Sequence, residues 1–153
     1  MYIIEDSRQQ KGKHETKHKD FADMGVSLLT NVLPYGDYAY PPKVSVDTKR
    51  NMEEIAQNIG GAASEHQRFK NECVKAKECG AQLIILVENL NGITCVDDVH
   101  NWINPELVYR PKAITGQRLE KAMKTMSERY GVRFEFCRPE ESAKRIMELL
   151  GNG

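Results

Sequence analysis

Apolar and polar positions along this chain switch between two periods, and the switches mark its elements. MYIIED opens it as a short buried strand ending in charge. KHKDFADMGV carries a weak helical stripe that turns Phe21, Met24 and Leu28 inward and stops at Gly25. SLLTNVL predicts a second strand, PYGDY a turn through Pro34 and Gly36, and PPKVSVDTK a third strand. Side chains alternate across a strand, so Val44 and Val46 take one face of it while Asp47 and Lys49 take the other. NMEEIAQNI is helical up to Gly60 and Gly61. SEHQRFKNECVKAKECG predicts a longer helix with Phe69, Cys73 and Ala76 on one stripe and Gly80 at its end. AQLIILVEN is continuously apolar, as a central strand covered on both faces is, and it ends in Glu88. NGITCVDDVHNWINPELVYRPK has turn signals at Asn91-Gly92 and Asn104-Pro105 and predicts a long irregular connection. TGQRLEKAMKTMSERYG predicts a helix capped by Thr115, with Leu119, Met123 and Met126 inward. VRFEFC alternates as an edge strand does. PEESAKRIMELLG predicts a closing helix with Pro139, Glu140 and Glu141 near its positive end.

The order β-α-β-β-α-β-α-β-α predicts an α/β protein, a mixed sheet with helices on both faces. Its only hairpin-like unit joins SLLTNVL to PPKVSVDTK and carries Asp37 and Asp47. No repeat or linker divides the 153 residues, so one domain over 1–153 is expected. With 40% hydrophobic and 29% charged residues, the chain has the composition of a globular protein. No apolar run reaches the ~18 residues of a membrane span. The opening turns acidic too early for a signal peptide. Cys73, Cys79, Cys95 and Cys137 show neither CxxC pairing nor zinc spacing, and read as buried or partly buried thiols in a reducing cytoplasm. His14, His18, His66 and His100 have no metal-ligand spacing either. The formal net charge is zero, which argues against a non-specific nucleic-acid coat protein. It leaves room for a local basic patch, in which Arg8, Lys11, Lys13, Lys17 and Lys19 stand against Glu15 alone.

The unusual chemistry is acidic. Asp37 lies in the predicted turn, and Asp47 stands ten positions later, two before Lys49, in an apolar run. Acids are poor strand residues and costly to bury. A hairpin with a wide turn or a bent second strand can bring the two carboxylates together. Close carboxylates are tolerated when a hard divalent cation sits between them, and Mg²⁺ takes such oxygens while keeping several waters. A lysine on the same strand face can stabilise a developing negative charge. Acid, acid and lysine in this order suit metal-assisted phosphodiester hydrolysis. The plainer alternative is a turn aspartate at Asp37 and a helix-capping one at Asp47.

The elements GDY and VDTK resemble the PD-(D/E)XK nuclease signature in its variant form G-D-x(n)-E-R-K-x(3)-D. That form belongs to the XPF-type structure-specific DNA endonucleases, a group that includes the archaeal Hef nuclease domain. Other pieces agree in order. IIEDSRQ resembles the opening strand and its V-D-x-R-E element, QLIILVEN the strand ending in V-E-G, and RPEESAKRIMELL the closing S-x-x-x-E-T-A helix. The resemblance runs from residue 3 to about residue 150 and implies a restriction-endonuclease-like fold. It implies catalytic roles for Asp37, Asp47 and Lys49, and Mg²⁺ or Mn²⁺ held by Asp37, Asp47 and the backbone carbonyl of Thr48. Asp6, Glu53 and Glu72 are further candidate ligands. Arg8, Lys11, Lys13, Lys17 and Arg68 are candidates for DNA contact.

Several residues depart from the pattern. Asp47 replaces glutamate, Thr48 replaces arginine, Gln9 replaces glutamate and Glu53 replaces aspartate. The connection from Val96 to Lys112 is longer than the family's, and its Trp102 and Tyr109 have no counterpart. The tandem helix-hairpin-helix domain that such nucleases often carry is not found in residues 1–153. The expected function is cleavage of branched or structured DNA. The alternative is a non-catalytic DNA-binding or scaffolding subunit with a nuclease-like fold. The partners expected are DNA, a second copy joined through the last two helices, and a protein that supplies further DNA binding.

Overall fold

The apolar run AQLIILVEN is the middle of the fold. In a computed structural model describing residues 2–9, 12–33, 35–40 and 43–151, it forms the strand Gln82–Glu88, with parallel neighbours on both sides. Its side chains split by parity. Leu83, Ile85 and Val87 enter one core, and Ile84 and Leu86 the other. An alternating strand would leave one face wet, so the unbroken apolar run is what two covered faces require. Each such side chain contributes roughly 1.5–3 kcal/mol by leaving water.

Six strands surround this centre. They are β1 (Tyr2–Asp6), β2 (Ser27–Asn31), β3 (Tyr38–Tyr40), β4 (Val44–Lys49), β5 (Gln82–Glu88) and β6 (Arg133–Cys137). Their order in the sheet is β2-β1-β3-β4-β5-β6. Pairing is parallel for β1 with β2 and for β4-β5-β6, and antiparallel where β3 meets β1 and β4. Helices α1 (Glu15–Asp23) and α5 (Ser142–Gly151) cover one face around Phe21, Tyr38, Val46 and Ile146. Helices α2 (Met52–Gly60), α3 (Ala63–Glu78) and α4 (Gly116–Tyr130) cover the other around Met52, Phe69, Leu119 and Met123. The predicted α/β class, mixed sheet and two covered faces are all present. No helix among the described residues is long and apolar enough to cross a membrane.

The hairpin differs from the one predicted. SLLTNVL does not pair with β4. It forms β2, parallel to β1 at the sheet edge, with only Leu28 partly covered. The partner of β4 is the three-residue β3, in the register Tyr38↔Val46, Ala39↔Ser45 and Tyr40↔Val44. Proline and glycine on either side of Tyr38–Tyr40 made that stretch read as turn. Asp37 therefore stands at the open end of a hairpin, level with Asp47, and needs neither a bend nor a wide turn to reach it.

The connection between β5 and α4 is ordered by polar residues. Asn89 Oδ1 accepts from the backbone N–H groups of Asn91 and Ile93, and Asn104 Nδ2 donates to the carbonyl of Ile114. Short 3-10 turns at Val96–Asn101 and Pro105–Val108 carry Val99 and Trp102 into the core, while Tyr109 stays 71% exposed. Met24, expected inward, is 42% exposed because α1 ends one residue before it. All four cysteines are free thiols, but Cys79 and Cys95 are exposed, not buried. The apolar residues that motivated a dimer through the last two helices, Leu119, Met123, Ile146 and Leu149 among them, are inside this chain's own cores.

Candidate active site

Three strands end together on the α3 side of the sheet, and their alternation decides what meets there. On β4, Val44 and Val46 face the α1/α5 core, so Asp47 and Lys49 face α3. Asp37 precedes β3 and is tied to both neighbours, its N–H donating to the Val46 carbonyl at 2.8 Å and its carbonyl accepting from Asp6 N–H at 2.7 Å. The result is a cavity of about 400 Å³ lined by Asp6, Arg8, Asp37, Asp47, Lys49 and Glu72. Asp47 and Lys49 are 5% and 9% exposed.

The turn before Asp37 depends on Gly36. Its φ of +75° lies in the left-handed region, and a Cβ there would meet Ser45 Oγ at 1.9 Å. The Ser45 hydroxyl donates to the carbonyls of Tyr35 and Tyr38, and Gly36 N–H donates to Glu72 Oε1 at 2.8 Å. The G-D element is thus clamped between β4 and α3.

Each acid has a distinct environment. Asp37 Oδ2 accepts from both the backbone N–H and the hydroxyl of Thr48, at 2.8 and 2.9 Å. Burial and the Asp47 charge still hold its carboxyl well above the usual range. Asp47 Oδ2 is 3.0 Å from Lys49 Nζ. Burial pushes the lysine down, but Asp47, Glu72 and Asp37 outweigh it and leave the ammonium more basic than usual. Lys49 Nζ also sits 5.3 Å from the centre of the Phe69 ring. The Glu72 carboxyl is pushed up to about 7 by burial and by Asp47, against the opposing pull of Lys49 and Gly36 N–H.

Of the predicted residues, Asp37, Asp47, Lys49, Asp6, Arg8, Glu72 and Arg68 all line this cavity. Asp47 does not cap a helix; Asn51 does, accepting from Glu54 N–H at 2.8 Å. Glu53 lies in the first turn of α2 and lines a neighbouring cavity instead. Asp6 is already engaged by Leu33 N–H and Arg8 Nε, and the Arg8 guanidinium also donates to the Leu33 carbonyl. Lys17 turns inward, its Nζ 2.7 Å from Glu88 Oε2 on the opposite face of the sheet, which removes it from any surface patch. Lys13 is exposed. Lys11 and Pro34 lie outside the described residues. Arg68 is exposed and holds Glu65 at 2.7 Å.

Sequence reasoning missed the Thr48 hydroxyl, Phe69 beneath Lys49, and Asn58. Asn58 is 7% exposed, lines the cavity, and its Oδ1 has no hydrogen-bond partner among the described residues. An asparagine inside the apolar stripe MEEIAQNI was the available signal.

Among the described residues, no three carboxylate, imidazole or thiol side chains are arranged to close around one cation. Mg²⁺ does not need such a cage, since one or two carboxylates and retained waters suffice. Asp37 and Asp47 offer that pair, and each has an oxygen that accepts no hydrogen bond among the described residues. The donor set therefore fits a hard divalent cation.

No protein-family profile and no curated protein matches the sequence. Solved structures match its fold. XPF from Aeropyrum pernix is similar with a TM-score of 0.69 and 19% identity, over 98% of this chain and 63% of that one. The same protein in complex with DNA gives 0.69 and 18%, over 99% of this chain and 64% of that one. This chain spans less than two thirds of the length of those chains. The mixed six-stranded sheet, helices on both of its faces, and a likeness that runs nearly end to end mean that this protein has the XPF-type nuclease fold.

Proposed function

We propose that this protein is a divalent-metal-dependent endonuclease that hydrolyses phosphodiester bonds in branched or otherwise structured DNA. One observation carries the reading. Asp37, Asp47 and Glu72 share a cavity with one buried ammonium, Lys49, while the other cations that line it, Arg8, Arg68 and Lys75, are more exposed, in a fold also seen in a protein solved with DNA. With only Lys49 buried beside them, Asp37 and Glu72 hold their protons more tightly than usual, and a divalent cation would let these carboxyls ionise.

Asp37, Asp47 and the Thr48 carbonyl would hold Mg²⁺ or Mn²⁺, which would supply Lewis-acid charge to the scissile phosphate. The chain's own groups divide the remaining work. Two donors from Thr48 fix the Asp37 carboxylate before any substrate arrives. Lys49, kept charged by its acidic neighbours and steadied by Phe69, meets negative charge as it grows on the phosphate. Arg8 and Arg68, on the cavity wall, can meet flanking phosphates. A second reading, a non-catalytic DNA-binding or scaffolding subunit, is supported by the closed Asp47–Lys49 ion pair and by the lack of a three-ligand cluster among the described residues.

The two readings separate on labelled fork, flap, junction and duplex DNA incubated with Mg²⁺, Mn²⁺ or EDTA. The enzyme reading expects metal-dependent cuts that vanish in Asp47→Asn and Lys49→Met. Asp47→Asn should also lose its thermal response to metal, while Lys49→Met keeps it. Wild-type cleavage rates in Asp47→Asn would remove these residues from the chemistry.

A further inference from the structure

A second groove lies on the other flank of α3 from the acidic cavity. It runs between α3 and α4, with a volume of about 500 Å³. His66 and Lys70 line it from α3, and Arg118, Lys121 and Arg129 from α4. Helical spacing puts each set on one stripe, four apart on α3 and at intervals of three and eight on α4. The groove also contains apolar surface from Ile59, Ile114 and Met126, with the Tyr130 ring beside it. Among the described residues no carboxylate lines it.

The opposite side of α4 shows how this protein treats an ordinary cation. There Lys124 contacts Asp97 and Glu120 at 2.9 and 2.8 Å. Across the groove, Lys70, Arg118, Lys121 and Arg129 pair with no carboxylate among the described residues. His66 adds a buried Nδ1 without a hydrogen-bond partner among the described residues. The chain has 22 acids and zero net charge, so the one-sided lining is not a matter of composition. Solvated helix faces carry both signs, as the Lys124 side does. Rims of a single sign over an apolar and aromatic interior are the arrangement that binds unpaired nucleic acid, with charge tracking the backbone and rings meeting the bases.

We propose that the groove between α3 and α4 is a track for a short single-stranded stretch of DNA, its phosphates on the cationic rims and a base against Tyr130 and the apolar interior. This rests on the nuclease reading for the choice of DNA, and adds where on this chain an unpaired stretch would run. Arg118 and Arg129 stand about 16 Å apart along α4, at 1.5 Å per residue. A duplex fits less well, because its stacked bases offer no face to the interior.

The test is fluorescence anisotropy of a labelled oligothymidylate with the full chain in EDTA, so that cleavage plays no part. Arg118→Gln/Lys121→Gln changes two exposed residues without ion-pair partners, and Lys43→Gln/Lys144→Gln removes the same charge elsewhere. The groove variant should bind at least about five-fold more weakly at low salt, with the slope of log K against log salt reduced by ~1.4 for two lost contacts. The control should stay within about two-fold of wild type, and an abasic oligonucleotide of equal length should bind several-fold more weakly. Equal weakening in the control, wild-type binding by the groove variant, equal binding of the abasic strand, or displacement by millimolar inorganic phosphate would each overturn the proposal. A chain that binds in this pattern but cuts nothing leaves the groove standing and sinks the nuclease reading; one that cuts DNA with an inert groove does the reverse.

Discussion

Buried charge occurs on both faces of the sheet, and the two faces handle it differently. On the α1/α5 side the two buried carboxylates among the described residues each have a partner of their own. Glu5 holds His18 at 2.5 Å, and Glu88 holds Lys17 at 2.7 Å and the Ser142 hydroxyl at 2.9 Å. On the α3 side Asp37, Asp47 and Glu72 share one buried ammonium, Lys49, beside an open cavity. Matched charge closes a structure, because desolvation is offset locally and nothing further is needed. Mismatched charge leaves a group whose pKa is displaced and a space beside it, and that combination marks a site rather than a strut.

The comparison breaks first at Lys17. Replacing it with Met leaves Glu88, 6% exposed, without its counter-charge. Removing one member of a buried pair costs about 3–5 kcal/mol. Lys17→Met should therefore lower the urea midpoint sharply, and Glu88→Gln added to it should recover most of the loss. A cost below about 1 kcal/mol, the worth of an exposed pair, would mean that this face is no better matched than the other.

Much of this contrast was readable from the chain, and the unread part has physical causes. Strand parity alone put Asp47 and Lys49 on the face opposite Val44 and Val46, which is where they lie. The apolar run of β5 and the stripes of α3 and α4 are local signals of the kind a sequence displays. Lys17 was counted with the basic surface because its ion pair with Glu88 spans 71 positions, and no local pattern records such a contact. Thr48 counted as a missing arginine, yet its hydroxyl orients Asp37, a role that register creates. Tyr38–Tyr40 is too short to show a period, so the hairpin was assigned to β2.

The second prediction sharpens the mismatch. In metal-free protein the Glu72 carboxyl sits at about 7, above its ordinary 4.5. A raised carboxyl contributes its full stability below 4.5 and loses it as pH rises through 7. At pH 8 the ionised group is a burden, and Glu72→Gln keeps the oxygen that accepts from Gly36 while removing the charge. The variant should be more stable than wild type at pH 8 in EDTA, by on the order of 1–2 kcal/mol once solvent screening is allowed for. The gain should shrink below pH 5 and when saturating Mg²⁺ is added. Equal stability at pH 8 would remove the excess charge on which the contrast depends.

The smallest effect uses both faces at once. His14 Nδ1 lies 2.9 Å from the Tyr38 hydroxyl, and burial, with Lys17, His18 and Lys13 nearby, lowers its pKa to about 4 from 6.5. A lowered histidine contributes stability that is complete above 6.5 and is lost as pH falls toward 4. Its sign is opposite to that of Glu72, and the two windows overlap between about 4.5 and 6.5. Wild-type melting temperature should therefore rise less across that range as pH falls than the two raised carboxyls, Glu72 and Asp37, would make it alone, because His14 opposes them. His14→Gln keeps a partner for Tyr38 and cannot charge, so its melting temperature should rise as pH falls from 6.5 to 4.5. Glu72→Gln should depart from wild type in the other direction, with a smaller rise over the same interval, because only Asp37 then opposes His14. In the double variant both contributions are gone, and any remaining rise on acidification belongs to Asp37, whose raised carboxyl acts with the same sign as Glu72. Parallel curves for the two single variants would show that the matched and mismatched faces do not oppose each other in proton uptake.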